Sequence, residues 1–400
     1  MRGARVGGQL GGGPAFLLDE LLQTVDLGTT VRELVREAFG AEAAAGSTLE
    51  AVPYASGSPA TGALYRLRGT TTDGRPWSLF CKVLQHVRHW PTLAFLPPEI
   101  AADMAAWFPW RSELELWDPM IMTSFPPGLR PPRLHRLVEL PDDRVAVWQE
   151  DIAISAEPFG LDHYRRAAYL LGRWNARCGT PEILATNDSP ANQALRQYAT
   201  AALPMRGLEP LTDDELWSHP WLRDHGELRR DLRRLAPRIP EFLDRLDTMP
   251  LCLPHGDASP QNLLIPRDEP DTIVVIDLSF RAPHALGFDL GQLLVGLVHA
   301  GEVPASRLPA IADTILPGYL RGLRAEGANP PIAAVAWTFA IATLLRSGFD
   351  SFLYGLLDDP SDGARHTFDE RVRLCRFLAD RAVGTLAEAN ILGRTPVFHR

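Results

Sequence analysis

The stretch from His255 to Asp277 constrains this chain more than any other. It opens His255-Gly256-Asp257-Ala258-Ser259-Pro260-Gln261-Asn262, continues through an apolar run at 263–265 and a turn-forming run at 266–271, and closes with a second apolar run at 273–276 and Asp277. Two short β-forming runs separated by Pro, Asp and Glu predict a hairpin. Antiparallel pairing would set Asn262, just before the first strand, beside Asp277 at the end of the second. Two hard oxygen ligands then converge on one cation, and Asp257 lies a few residues upstream in a loop. Such a set can orient a hydroxyl, hold Mg²⁺ and steady a triphosphate, which is what magnesium-assisted phosphoryl transfer requires.

A His-x-Asp triplet by itself is common. The order His-x-Asp, Asn five residues after the Asp, and an Asp closing an apolar strand is far more restrictive. On these residues the chain resembles the aminoglycoside phosphotransferase and choline kinase-like family, whose fold is related to that of protein kinases. The resemblance continues through Gly287-Phe288-Asp289-Leu290-Gly291-Gln292, similar to that family's structural Asp at the start of a buried helix. It implies an α+β, two-lobed, protein-kinase-like fold, with a small antiparallel-sheet lobe carrying one key helix and a larger, mostly helical lobe. It also implies roles. Asp257 would accept the proton of a substrate hydroxyl, and Asn262 and Asp277 would hold Mg²⁺ against the phosphates of ATP or GTP. His255 would hydrogen-bond the loop rather than react, and Asp289 would brace that loop from its helix N-terminus. Ser259 stands where protein kinases carry a basic residue. That departure argues against a protein substrate and leaves open which group neutralises the transferring phosphate.

An independent signal is the single lysine. Of 40 basic residues, only Lys82 is not arginine. It sits in Trp77-Ser78-Leu79-Phe80-Cys81-Lys82-Val83-Leu84, a run of strand character. A compact ammonium suits phosphate oxygens, whereas the planar guanidinium favours bidentate partners. In related folds such a lysine pairs with α/β-phosphates and with a helix Glu. The alternative is an accident of a lysine-poor composition. Glu113, in the run 107–117, is the candidate partner on an expected helix. Glu115 competes with it, because a helix turns about 100° per residue and only one of the two can point inward.

Composition narrows the rest. A chain of 400 residues has room for two domains and a large core. A net charge of −9 argues against a nucleic-acid binder, which would carry a basic face. The four cysteines are scattered without C-x-x-C spacing, and read as reduced, buried residues of a cytoplasmic protein. No apolar run suits a signal peptide or a bilayer span, so no membrane partner is expected.

Helices are expected at 16–23 and 31–39, and strands at 49–55, 63–69, 77–84, 135–140 and 145–149. The later pattern is helical, at 161–177, 191–202, 223–248, 286–300, 308–325, 332–356 and 365–391. The expected division is 1–149, the nucleotide-covering part, and 150–400, with the catalytic loop, metal site and acceptor pocket. By the resemblance, Glu150 and Ile152 at the junction are candidates for backbone contacts to the nucleotide base. The loop carrying Ser56 and Gly57 is the candidate phosphate cover. It is not a Walker A loop, since Gly62 is followed by Ala-Leu. The reading is a small-molecule kinase using ATP or GTP and Mg²⁺ on a hydroxylated acceptor, such as an aminoglycoside, sugar or amino alcohol. A non-catalytic kinase-like nucleotide-binding protein is the alternative; a metal-dependent hydrolase lacks a second histidine cluster.

Overall fold

The computed structural model describes residues 30–54, 58–278 and 281–391. The expected helix at 16–23 and the loop residues Ser56 and Gly57 lie outside them. The chain divides into two compact units: one runs to Asp118 and includes Pro131–Ile154, and the other joins Pro119–Arg130 to the residues from Ser155 onward.

The first unit is built on a five-stranded antiparallel sheet in the order β1-β2-β3-β6-β5. Its strands are β1 Thr48–Ala51, β2 Thr61–Thr70, β3 Pro76–Gln85, β5 Leu134–Leu140 and β6 Arg144–Glu150. Alternation along β3 decides which side chain faces where. Trp77, Leu79, Cys81 and Val83 join a core with Val31, Leu34 and Val35 of the helix Thr30–Phe39, whose i, i+3, i+4 spacing makes one apolar stripe. Lys82 and Leu84 therefore point to the other face, where Leu84, Val145 and Val147 pack against Trp110, Leu114 and Trp117. Between β5 and β6, Asp142 and Asp143 both take positive φ, 58° and 53°, the conformation a tight hairpin turn demands.

One expectation needs correction here. Glu113 does not lie on an α-helix. The α-helix covers Pro98–Trp107, and Glu113 falls on a separate 3₁₀ segment, Ser112–Trp117. Pro109 explains the break, since it pushes Phe108 into an extended conformation and ends the helix before it.

The second unit is mostly helical. Helix Leu161–Arg177 packs on Leu308–Ala325, and Asp289–His299 and Ile332–Thr343 are buried along most of their length. The expected helix at 223–248 is two helices, Gly226–Leu235 and Ile239–Leu246, separated by a 3₁₀ turn over Ala236–Arg238; Pro237 supplies no amide hydrogen there. The expected helix at 332–356 is α-helical only to Thr343, then widens into a π-turn over Leu344–Gly348. The unit has two small sheets: β7 Leu251–Cys252 pairs antiparallel with β10 His284–Ala285, and β4 Leu129–Arg130 runs parallel to β9 Ile273–Val275, which pairs antiparallel with β8 Leu263–Leu264. The class is α+β, as expected: one unit is built on an antiparallel sheet and the other is mostly helical. No helix among the described residues is long and apolar enough to cross a membrane. All four cysteines are buried and free.

Candidate active site

In the first unit, Lys82 Nζ lies 2.5 Å from Glu113 Oε2, with side chains only 10% and 7% exposed. The geometry selects Glu113 over Glu115 as the partner. An ion pair this dry is held for position as much as for energy, because desolving both charges consumes much of their attraction. Glu150 ends β6; its amide donates to the Arg133 carbonyl at 2.9 Å, and its carboxylate accepts from the Arg133 amide at 3.0 Å. Ile152 follows outside any strand and is half-buried. Between them Asp151 accepts from Arg66 Nε and Ser78 Oγ, fixing the end of β6 to β2 and β3.

In the second unit, the loop from His255 to Asn262 is held from below by Asp289. That carboxylate, 1% exposed, accepts from the His255 amide at 3.1 Å, the Gly256 amide at 2.9 Å and Asn175 Nδ2 at 3.0 Å. Asn175 also donates to Tyr319 Oη, which in turn accepts from the Gly287 amide at 3.1 Å, so the network ties the loop to two helices. Gly256 has φ +88°, a turn that an L side chain would strain, and it sends the chain into Asp257. Helix Asp289–His299 passes so close that a Cβ at Gly296 would meet Ser259 Oγ at 2.2 Å. Ser259 is thus turned into the fold.

His255 is fully buried, and burial pushes its pKa down against the opposing fields of Asp289, Asp257 and Asp277. Its Nδ1 accepts from the Asp257 amide at 3.2 Å, which places the ring's proton on Nε2. A neutral ring acting as a brace is what remains.

Asp257 is half-buried, and Asn262 Nδ2 donates to both its carbonyl, at 2.9 Å, and its Oδ2, at 3.2 Å. Clamped in this way, the Asn262 amide turns its Oδ1 away from Asp257. The hairpin register is Leu263 opposite Val275, and the Ile276 amide donates to the Asn262 carbonyl at 3.1 Å. Asn262 and Asp277 therefore stand at the same end of the hairpin. Asp277 has φ +58°, which costs a non-glycine residue about 1–2 kcal/mol. An amide oxygen and a carboxylate, with the remaining positions left to water and phosphate, fit Mg²⁺, which seldom takes an all-protein cage. No group of three or more His, Cys, Asp or Glu that could hold a metal occurs among the described residues.

Arg346 is the first of three residues that sequence reasoning missed. It projects from the π-turn and donates through Nη1 to the Gly256 carbonyl at 2.6 Å and through Nη2 to Asp257 Oδ1 at 3.1 Å. Its guanidinium lies over the Phe288 ring. It lies 90 and 89 residues along the chain from the two residues it contacts, and it is one arginine among dozens, so no local pattern marks it. Asn175 and Tyr319 were missed for the same reason.

No family model matches the chain, and no curated protein matches it. Solved structures do. Many of them are aminoglycoside phosphotransferases or related kinases. A spectinomycin phosphotransferase in complex with ADP and spectinomycin has a TM-score of 0.46 and 11% identity, over 89% of this chain and 97% of its own. An amicoumacin kinase in complex with AMP-PNP and Ca²⁺ gives 0.44 and 16%, over 84% and 88%. An aminoglycoside phosphotransferase from Alicyclobacillus acidocaldarius gives 0.44 and 14%, over 86% and 92%. Likeness this distant supports no residue-by-residue transfer.

Proposed function

We propose that the chain is a small-molecule kinase, transferring the γ-phosphoryl group of ATP or GTP to a hydroxyl of a small acceptor. The observation that carries this reading is the loop from Asp257 to Asn262: one carboxylate, and one amide clamped against it, at the end of a hairpin that also holds Asp277. Asp257 takes the acceptor's proton, a contribution of roughly 10²–10⁴-fold. Asn262 and Asp277 would hold Mg²⁺, which would supply positive charge to offset that developing on the phosphates. Lys82, fixed by Glu113, binds the α- and β-phosphates. Glu150 and Ile152 offer backbone contacts to the base, and Ser56 and Gly57 a cover for the phosphates. Asp289 and His255 keep the loop in shape. Arg346 supplies the cation that Ser259 does not, beside the base rather than within the loop. The nucleotide-covering part is 1–149, and the catalytic loop and acceptor pocket belong to 150–400.

The test is nucleotide consumption across a panel of hydroxylated metabolites and aminoglycosides, with and without Mg²⁺. Acceptor-dependent turnover that requires Mg²⁺ and is lost in Asp257→Asn supports the reading. Consumption that ignores the acceptor points to a hydrolase, and tight nucleotide binding without turnover on any acceptor points to a non-catalytic binding protein.

A further inference from the structure

Next to the catalytic loop, wholly within the second unit, lies a cavity of about 280 Å³. Arg346 joins the two: its guanidinium is in the cavity wall and also donates to Asp257. The volume is at the lower end of small-molecule pockets and suits a single-ring or short-chain molecule.

The charges of the wall are unusual for a site next to a kinase base. Arg371 is half-buried and donates to the carbonyl of His299, and no carboxylate among the described residues pairs with it. Burial lowers its pKa. His299, also in the wall, is pushed down to about 3, by burial first and then by the fields of Arg371 and Arg346. It is a neutral group that donates to or accepts from Ser351 Oγ at 3.0 Å. The one carboxylate of the wall, Asp350, is already engaged: the Tyr198 hydroxyl donates to it, and Arg206 and Arg346 face it. Finally, Ser347 is in the wall, 1% exposed, and its Oγ has no hydrogen-bond partner among the described residues. A buried hydroxyl without a partner and a guanidinium without a counter-ion both cost free energy that a bound ligand can return.

We propose that this cavity is the acceptor pocket and that it takes a small hydroxylated acceptor carrying one negative charge, a hydroxy acid, with its anionic group on Arg371 and a hydroxyl on Ser347. The inference rests on the kinase reading for the word acceptor. A polycation would bring like charge against Arg346 and Arg371 and find its only carboxylate occupied. The mildly acidic surface of the whole chain says nothing against this, because net charge does not describe a pocket.

The experiment is calorimetric titration of the full chain with matched sets that share a skeleton and differ in charge: D-glucuronate, D-glucose and D-glucosamine; glycerate, glycerol and serinol. Mg-ATP is titrated in parallel. An acid should bind at least tenfold more tightly than its neutral and cationic counterparts, Arg371→Gln should remove that preference, and Arg371→Lys should keep part of it. Melting temperatures check that both variants fold, and Ser347→Ala, a smaller change, should weaken the acid severalfold. The assignment is overturned if no acid binds, if the neutral or cationic members bind as tightly, or if Arg371→Gln leaves the preference intact. If Mg-ATP binds while no acid does, this inference fails alone. If acids bind but Mg-ATP does not, the kinase reading fails and the cavity is a hydroxy-acid site of another kind.

Discussion

Lys82 shows how a single side chain can be placed by two signals that do not depend on each other. Its uniqueness is visible in composition and its direction follows from β3 alternation, which sends it away from the helix Thr30–Phe39 and toward Glu113. With both charges nearly dry, Lys82→Ala should destabilise the protein by about 3–5 kcal/mol, since it removes the cation that faces the buried Glu113 carboxylate. The double substitution Lys82→Met with Glu113→Leu should recover most of that stability and none of the turnover. Denaturant titration and a turnover assay separate the two effects; equal stability of the single and double variants would mean the pair carries no buried-charge penalty. Lys82→Arg should lose most activity, because a planar head cannot replace a point charge between a carboxylate and phosphates. Asp257 and Asp277 should behave differently. Asp257→Asn should cost roughly 10²–10⁴-fold in turnover with nucleotide affinity retained. Asp277→Ala should weaken Mg-nucleotide binding in a titration, even though it gives up little packing.

At the scale of elements, the hairpin, the helix Leu161–Arg177 and the helix Leu308–Ala325 were legible because each follows from a local period: two for strands, 3.6 for helices. What was not legible came from proline and from distance. Pro109 and Pro237 ended helices whose apolar spacing ran on, and the periodicity at 332–356 hid a widening at Leu344. Arg346 reaches Asp257 only because that widened turn carries it there, and nothing in the residues near Asp257 announces it. The support beneath the loop is likewise tertiary. Asp289→Ala would leave two buried backbone donors, at His255 and Gly256, without an acceptor, at about 1–3 kcal/mol each. Asp289→Asn should cost less, because its amide oxygen still accepts one of them. Melting temperatures in the order wild type, Asn, Ala check this; an Ala variant as stable as wild type would show that the loop does not hang on this carboxylate.

For the molecule as a whole, acid sensitivity follows from its buried imidazoles. His299 and His255 both have folded pKa values below the ordinary histidine range, with burial the leading cause. Above pH ~6.5 they are neutral folded or unfolded and contribute nothing to the pH dependence. As pH falls below that, the unfolded chain takes up protons that the folded chain refuses, so stability drops, for His299 by up to about 1.4 kcal/mol per pH unit down to about pH 3. His299→Gln should flatten the acid limb of a plot of melting temperature against pH between 6.5 and 4. An unchanged slope would place the acid sensitivity elsewhere.

The segment Pro119–Arg130 interrupts the first unit in sequence and belongs to the second, where Leu129 and Arg130 lie alongside Ile273 and Val274. Its partners are therefore synthesised long after it is. When residue 154 leaves the ribosome, every residue of the first unit has been made, yet this segment still lacks its strand, and at ordinary synthesis rates β9 follows only on the order of ten seconds later. Ser124 and Phe125 find Trp174 earlier, through the indole hydrogen bond and ring stacking, and so can park the segment against the helix Leu161–Arg177 in the interval. The order of chain emergence thus offers this segment its contacts with Trp174 well before its strand partner β9.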